Sequence, residues 1–480
     1  MYQFQNLEDT IVAISTAIGQ GGIGIVRLSG KNALSICDEM FVARNKIKSS
    51  RFKSHSVHYG WVIRRRAREE GREAKVQGRG PDYEIIDEAL VTVMRAPRSY
   101  TKEDVIEISC HGGIVAVQVI LKLAMELGAR LAEPGEFTQR AFLNGRIDLT
   151  QAEAVLDIIQ AKTDAFLKVS THQLKGELSL ELEAIRGMLM NIYTELEAIV
   201  NFPEDDIDAS GRQQLRTKVN GASQMVEQLL KSSEQGRILK EGIKIVLCGK
   251  PNVGKSSLLN VLLKTPRAIV TAIAGTTRDT IEETTQIQGI PFQLVDTAGI
   301  LEPRDLVEEE AIKRSHLYIN SADLILSVLD GGRKISREDE ELMEQVRDKN
   351  VLFVLNKSDL NGHIPEELLQ RICKDKKTIR VSALKKMGVE NLENALVENV
   401  LNGRTIENSG VLVSNIRHIQ SLKECEATLR NAENAMAQNL SFEFVSEDIK
   451  SAINCLDHIT GRNIDHDLLD KIFSEFCIGK

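Results

Sequence analysis

No stretch of this 480-residue chain approaches the ~18 consecutive apolar residues that a membrane-spanning helix requires, so no membrane partner is expected. The amino terminus lacks the basic start of a secretory signal, carrying Glu8 and Asp9 ahead of a short apolar run. Nor is it the acid-poor, Arg-rich pattern of an organelle transit peptide, and a cytoplasmic protein is expected. No C-x-x-C pair occurs. The seven cysteines (Cys37, Cys110, Cys248, Cys373, Cys425, Cys455 and Cys477) are scattered and odd in number, which argues against a disulfide framework and a zinc knuckle. An excess of positive charge is also missing: at a net charge of -8, any RNA contact has to come from a local basic patch. One such run exists, Arg64-Arg65-Arg66 with Arg68, Arg72, Lys75 and Arg79, but Glu69, Glu70 and Glu73 interrupt it. It reads first as a solvated surface loop.

What is present is ordinary for a soluble globular protein, with 42% hydrophobic and 27% charged residues in a length that suits two to four domains. Residues 1–145 mix strand-like runs (10–17, 23–28, 89–94, 105–108) with a helix-like stretch at 115–127, which predicts an α+β domain. A helical segment is expected over 146–238. There Leu178, Leu182, Ile185, Leu189, Ile192, Leu196 and Ile199 alternate four- and three-residue spacings, one continuous stripe on a long helix. Such a stripe reads as packing within the chain rather than as an intermolecular coiled coil. From 239 to 403 near-continuous apolar strands (243–248, 292–295, 324–329, 351–355) alternate with amphipathic helices, the rhythm of a doubly wound α/β domain. The helical pattern returns over 404–480. The expected fold is therefore multidomain, with an α/β domain inserted into a helical one.

Gly249-x-x-x-x-Gly254-Lys255-Ser256 follows the apolar run 243–248 and opens a helix containing Leu258, Leu259 and Leu262, the context a P-loop needs. Its glycines let backbone N–H groups face phosphate, Lys255 reaches the β/γ oxygens, and Ser256 ligates Mg²⁺. Asp296-Thr297-Ala298-Gly299 ends the next strand, where a carboxylate holds the Mg²⁺ shell and the glycine amide meets a γ-phosphate. Asn356-Lys357-Ser358-Asp359 and Ser382-Ala383-Leu384 end two further strands. Asp359 is suited to accept from the N1–H and N2–H₂ edge of guanine, donors that adenine lacks. The four motifs together imply GTP. Thr277, in Ala274-Gly275-Thr276-Thr277-Arg278-Asp279, is the switch threonine that completes the Mg²⁺ shell. Ile300 stands where Ras-like enzymes orient water with glutamine, and an apolar side chain cannot do so.

The runs Pro251-Asn252-Val253-Gly254-Lys255-Ser256-Ser257-Leu258-Leu259-Asn260 and Ala268-Ile269-Val270-Thr271 resemble the MnmE (TrmE) family of tRNA modification GTPases. The flanks are similar to it as well: Gly21–Gly30, Ser99–Val105, Cys110-His111-Gly112-Gly113, Pro134–Arg146 and the terminal Cys477-Ile478-Gly479-Lys480. The resemblance implies a GTP site made of Asn252, Val253, Gly254, Lys255, Ser256, Ser257, Thr271, Ala272, Ile273, Ala274, Gly275, Thr276, Thr277, Asp296, Thr297, Ala298, Gly299, Asn356, Lys357, Asp359, Ser382, Ala383 and Leu384. It further implies K⁺ held by Asn252, Thr271, Ile273 and Thr276, replacing an arginine finger when two G domains meet in a homodimer. Glu308 would orient water, giving Glu308, Asn252 and Thr277 the catalytic roles.

By the same resemblance, residues 1–145 bind a reduced folate (5,10-methylenetetrahydrofolate or 5-formyltetrahydrofolate) through Arg27, Glu107, Arg146 and the returning Lys480, and mediate dimerisation. The implied activity is GTP hydrolysis in modification of the tRNA wobble uridine at C5, with the flavin- and NADH-dependent partner MnmG. Asn201 stands where the family commonly carries an acid, and the Arg-rich segment at 64–80 looks longer than usual. His111 reads as a hydrogen-bonded structural residue. Two other readings stand beside this one: a ribosome-assembly GTPase switch, and a folate-dependent one-carbon transferase with a regulatory G domain. The first predicts a G-x-x-G RNA module, for which the sequence offers no convincing candidate. Binding of a reduced folate separates them.

Overall fold

The computed structural model describes residues 8–66, 83–201, 209–263, 282–296, 317–360, 364, 373, 376–401 and 411–480. The chain divides into two compact units, Met1–Leu156 with Leu456–Lys480, and Asp157–Cys455.

The first unit is built on seven strands: β1 (Ile11–Ile14), β2 (Gly21–Ser29), β3 (Phe41–Ala43), β4 (Ser56–Arg65), β5 (Tyr83–Met94), β6 (Val105–Gly112) and β7 (Arg130–Leu131). They lie in the order β3-β4-β5-β6-β2-β1-β7, antiparallel except for the β1–β7 pair. The strands alternate, so β2 buries Val26 and Leu28 while Ile23, Ile25 and Arg27 take the other face. Helices α1 (Ala33–Met40) and α2 (Ile114–Glu126) cover the buried face, packing Ile36, Met40, Ile120 and Leu123 against Val26, Leu28, Ile106 and Ile108. Each such side chain contributes roughly 1.5–3 kcal/mol by leaving water.

Helix α3 (Glu136–Leu143) starts after Gly135, which sits at φ +69° and where a Cβ would lie 2.7 Å from the Phe473 carbonyl oxygen. It carries Arg140, fully buried, paired with Asp9 at 2.6 Å, Glu136 at 2.8 Å and Glu103 at 3.2 Å. Arg130 joins the network through Asp9 at 2.5 Å and Glu136 at 2.6 Å. Burial raises the Asp9 pKa, but the hydrogen bonds from Arg130 and Arg140 outweigh it and hold the carboxyl below its ordinary value. Replacing Arg140 by methionine takes the buried cation from Glu103 and leaves Asp9 and Glu136 to Arg130 alone, and is expected to cost about 3 kcal/mol in urea unfolding of the full chain. An unchanged midpoint would show that the network adds nothing. With its pKa depressed, Asp9 adds stability above the ordinary carboxylate value, and that part is lost as pH falls through the folded pKa.

Helix α4 (Leu149–Gln160) begins in this unit. The last helix, α13 (His466–Ser474), returns to it, placing Leu469, Phe473 and Phe476 on Ala141, Leu149 and Ala152. That packing joins Leu456–Lys480 to the amino-terminal unit through α3 and α4, so the expected 404–480 segment is shared between the units.

The second unit contains α5 (Asp164–Leu174), α6 (Glu177–Asn201), α7 (Ala209–Glu241) and α11 (Ile416–Ala437), with the start of α12 (Phe442–Thr460). The predicted stripe of α6 buries Leu178, Leu182, Ile185, Leu189, Ile192 and Leu196, packing within the chain on α5 and α7. Its six-stranded sheet runs β13 (Thr378–Arg380), β12 (Val351–Asn356), β11 (Leu324–Asp330), β8 (Ile243–Cys248), β10 (Ile290–Asp296), β9 (Glu282–Ile287). All neighbours are parallel except the β9–β10 hairpin. Both faces are covered: α8 (Lys255–Leu263) and α10 (Val389–Leu401) supply Leu258, Leu262, Leu392 and Leu396 to one core, and α9 (Arg337–Val346) supplies Met343 and Val346 to the other. Among the described residues no helix is long and apolar enough to cross a membrane, and no three His, Cys, Asp or Glu side chains cluster as metal ligands.

Candidate functional site

The carboxyl ends of β8, β10, β11 and β12 open on one edge of the six-stranded sheet, with β10 on one side of β8 and β11 on the other. Such a switch in strand order leaves a crevice where ligands bind in open α/β sheets. The P-loop lies there. Gly249 at φ +149° would bring a Cβ to 2.4 Å from the Val328 carbonyl, and Gly254 at φ +96° to 2.2 Å from Asn356 Nδ2. Only glycine fits either place, so the loop presents bare backbone. Asn252 also adopts a left-handed conformation, φ +65°.

Lys255 is 4% exposed, and its Nζ donates to the carbonyls of Gly249 at 2.8 Å and Lys250 at 2.9 Å. Burial lowers its pKa, against the opposing charge of Asp296. At the start of α8, Ser256 Oγ donates to Asp296 Oδ2 at 2.9 Å. A hydroxyl and a carboxylate side by side are hard oxygen donors of the kind that hold hydrated Mg²⁺, so these two residues fit the ion.

The motifs expected to read the base are cross-tied. Asn356, buried at the end of β12, donates from Nδ2 to the Val253 carbonyl at 2.9 Å and accepts from Ala383 N at 3.0 Å. One amide thus fixes the P-loop to the Ser382–Leu384 turn. Lys357 Nζ donates to the Asn252 carbonyl and to Asp330 Oδ2, both at 2.7 Å. Ser382 Oγ donates to Asp359 Oδ1 at 2.6 Å, which lowers the carboxyl pKa of Asp359. Ser257 is exposed in the first turn of α8, and Leu384 is exposed on the turn after Ser382.

Two residues escaped the motif reading. Asp330 anchors Lys357, and its signal was a carboxylate at the end of a parallel strand, ahead of Gly331-Gly332. Lys250 ties the P-loop to the cap of α9, donating to Ser336 Oγ and pairing with Glu338 at 2.6 Å. Thr271, Ala272, Ile273, Ala274, Gly275, Thr276, Thr277, Thr297, Ala298, Gly299 and Glu308 lie outside the described residues.

A second constellation forms in the first unit. Arg27 on β2 donates from Nε to Glu107 Oε1 on β6 at 2.8 Å, and its Nη2 meets the same oxygen at 2.7 Å. Its Nη1 donates to the Gly479 carbonyl at 3.2 Å. The guanidinium carbon lies 5.9 Å from the Tyr100 ring centre and 5.6 Å from that of Phe137; that of Arg146 lies 4.7 Å from Tyr100. Two cationic groups around one aromatic suit an anionic, partly planar ligand. Arg27, Glu107 and Arg146 are thus gathered, and the Gly479 carbonyl comes with them, while Lys480 makes a local bond from its N to the Cys477 carbonyl at 3.3 Å. His111 is hydrogen-bonded to Asp87 at 2.7 Å, which raises its pKa. Every described cysteine is free.

Residues 10–146 match the family of the GTP-binding protein TrmE N-terminus, and residues 149–477 that of the MnmE helical domain. The tRNA modification GTPase MnmE of Alkaliphilus oremlandii is 42% identical over 99% of this chain and 100% of its own length. That of Bacillus velezensis is 44% identical over 98% and 100%. Among solved structures, the FeoB G domain of Methanococcus jannaschii is 30% identical, covering 33% of this chain and 97% of its own. Its TM-score of 0.25 carries no argument about architecture. With both domain families matched in order and relatives above 40% identical end to end, the chain belongs to the MnmE family of tRNA modification GTPases.

Proposed function

We propose that this chain is the GTP-hydrolysing component of the tRNA wobble-uridine C5 modification system, acting as a homodimer with an MnmG-type, flavin- and NADH-dependent partner. The observation that carries it is the pairing, in one MnmE-family chain, of a cross-tied guanine-nucleotide crevice with the Arg27–Glu107–Arg146 constellation. The P-loop amides and Lys255 bind and orient the β/γ-phosphates, and Asp359 selects guanine. Bound Mg²⁺, held by Ser256 and Thr277, would neutralise phosphate charge. Arg27 and Arg146 offer cations to the carboxylates of a reduced folate, and Glu107 with Lys480 completes that set. An open sheet face with Ile23, Val57, Trp61 and Leu90 exposed supports dimerisation through the first unit.

With Ile300 in place of a water-orienting glutamine, hydrolysis depends on K⁺ at Asn252, Thr271, Ile273 and Thr276, and on Glu308. GTP turnover in K⁺ is therefore expected to exceed that in Na⁺ by about tenfold or more, since a positive charge at the transition state is worth several kcal/mol. Equal rates in the two salts would remove the cation from the mechanism. The whole reading is tested by mass analysis of tRNA nucleosides from cells lacking the protein. Loss of the modified wobble uridine is expected, and an unchanged nucleoside profile would defeat it.

A further inference from the structure

The last four residues do more than end the chain. Pro134 and Ile478 form an antiparallel bridge, and Gly135 N donates to the Cys477 carbonyl at 3.4 Å. The tail then crosses the end of β1, where Ser15 Oγ donates to the Gly479 carbonyl at 3.1 Å. That same carbonyl receives Arg27 Nη1 at 3.2 Å. Gly479 sits at φ +94°, and a Cβ there would lie 2.4 Å from the Ile14 carbonyl oxygen and 3.0 Å from Ser15 Cα. Only glycine lets the tail lie this close to β1.

Arg27 is thereby held on two sides by groups distant in sequence. Glu107 takes Nε and Nη2, and the tail takes Nη1, while Tyr100 and Phe137 lie within 6 Å of the guanidinium carbon. Removing the tail leaves Glu107 as the single charged anchor and frees the group to rotate about it. A guanidinium presents its donors in a fixed fork, so its orientation decides which ligand oxygens it meets.

We propose that Gly479 is a positioning residue: its carbonyl, pinned on β1 by Ser15, sets the orientation of Arg27 toward the anionic ligand of the first unit. The inference rests on reading Arg27 as a reduced-folate contact. It adds that the tail prepares the site through its backbone, separately from any contact made by the Lys480 side chain. Pre-organisation of this kind lowers the ordering cost of binding.

The test uses the full-length protein and two variants that substitute neither Arg27 nor Lys480. Gly479→Ala forces the tail off β1, and Ser15→Ala removes its pin without steric strain. Two measurements are made on each: affinity for 5-formyltetrahydrofolate by equilibrium dialysis, and labelling of Arg27 by an arginine-selective dicarbonyl, mapped by mass spectrometry. Gly479→Ala is expected to weaken folate binding about tenfold or more, the worth of one hydrogen bond to a charged group, and to speed Arg27 labelling. Ser15→Ala shifts both measurements in the same direction by less. Unchanged labelling in Gly479→Ala overturns the proposal, as does faster labelling with unaltered folate affinity. If the wild-type protein binds no folate, the folate reading fails, and the labelling comparison alone decides whether the tail holds Arg27.

Discussion

GTP turnover falls by about 10³-fold when Lys255 is replaced by alanine, the scale of losing one pre-aimed charged donor from a transition state that is stabilised almost entirely by electrostatics. The ammonium is poised by the loop it serves, donating to the carbonyls of Gly249 and Lys250 beneath the cradle. When phosphate arrives, the group needs only to swing from carbonyl to phosphate oxygen. At 4% exposure there is little space for a guanidinium, so Lys255→Arg is expected to fail as well despite its charge. Single-turnover phosphate release measures this directly, and a variant within tenfold of wild type would remove Lys255 from the mechanism. The pH dependence has a defined sign. Burial lowers the lysine pKa of the nucleotide-free protein from its ordinary 10.5, so kcat/KM, which reports that state, declines as pH rises through the lowered value, before an exposed lysine would titrate.

The second large effect is on base selection. Asp359→Asn is expected to weaken GTP about 10²–10³-fold, because a site built to accept two guanine donors would then present an amide donor to one of them. The same change should favour xanthine nucleotides, whose C2 carbonyl accepts where guanine donates. Competition binding with the two nucleotides provides the measurement, and unaltered preference would refute the assignment. Asparagine retains an oxygen to accept from Ser382 Oγ, so the turn that carries Ala383 is expected to survive and the loss is one of recognition. Since the Ser382 hydroxyl holds Asp359 below the ordinary 3.8, guanine selection persists on the acid side until pH falls through that lower value.

Much of the fold was legible where periodicity was clean. The strands 243–248, 324–329 and 351–355 appear where the apolar runs stand, the last two extending by one residue to Asp330 and Asn356. The α6 stripe was legible because every buried position is Leu or Ile. The stripe of α7 was not singled out within the helical segment expected over 146–238, although Leu215, Val219, Ala222, Val226 and Leu229 repeat the same spacing. Its stripe continues through Ser233, and small or polar residues do not register as an apolar face. Strands β3 and β9 went unread for a related reason: β3 has three residues, and β9 reads Glu-Glu-Thr-Thr-Gln-Ile. Pairing with β4 and β10 makes them strands.

By itself the sequence determined the nucleotide chemistry. A P-loop, the Asp359 motif and the Ser382 turn are short segments whose glycines and carboxylates carry the needed backbone and charge locally, whatever surrounds them. Only the tertiary structure decided how those segments are held: Asn356 bonding to both Val253 and Ala383, Lys357 anchored on Asp330, and Lys250 on the cap of α9. It alone decided the setting of Arg27 as well, since the carbonyl that receives its Nη1 lies 452 residues away. Contacts between segments so distant leave no periodicity or spacing to read. The Arg27–Gly479 contact exists because Phe473 and Phe476 bury against Ala141 and Leu149, which draws the end of the chain back onto its first strands.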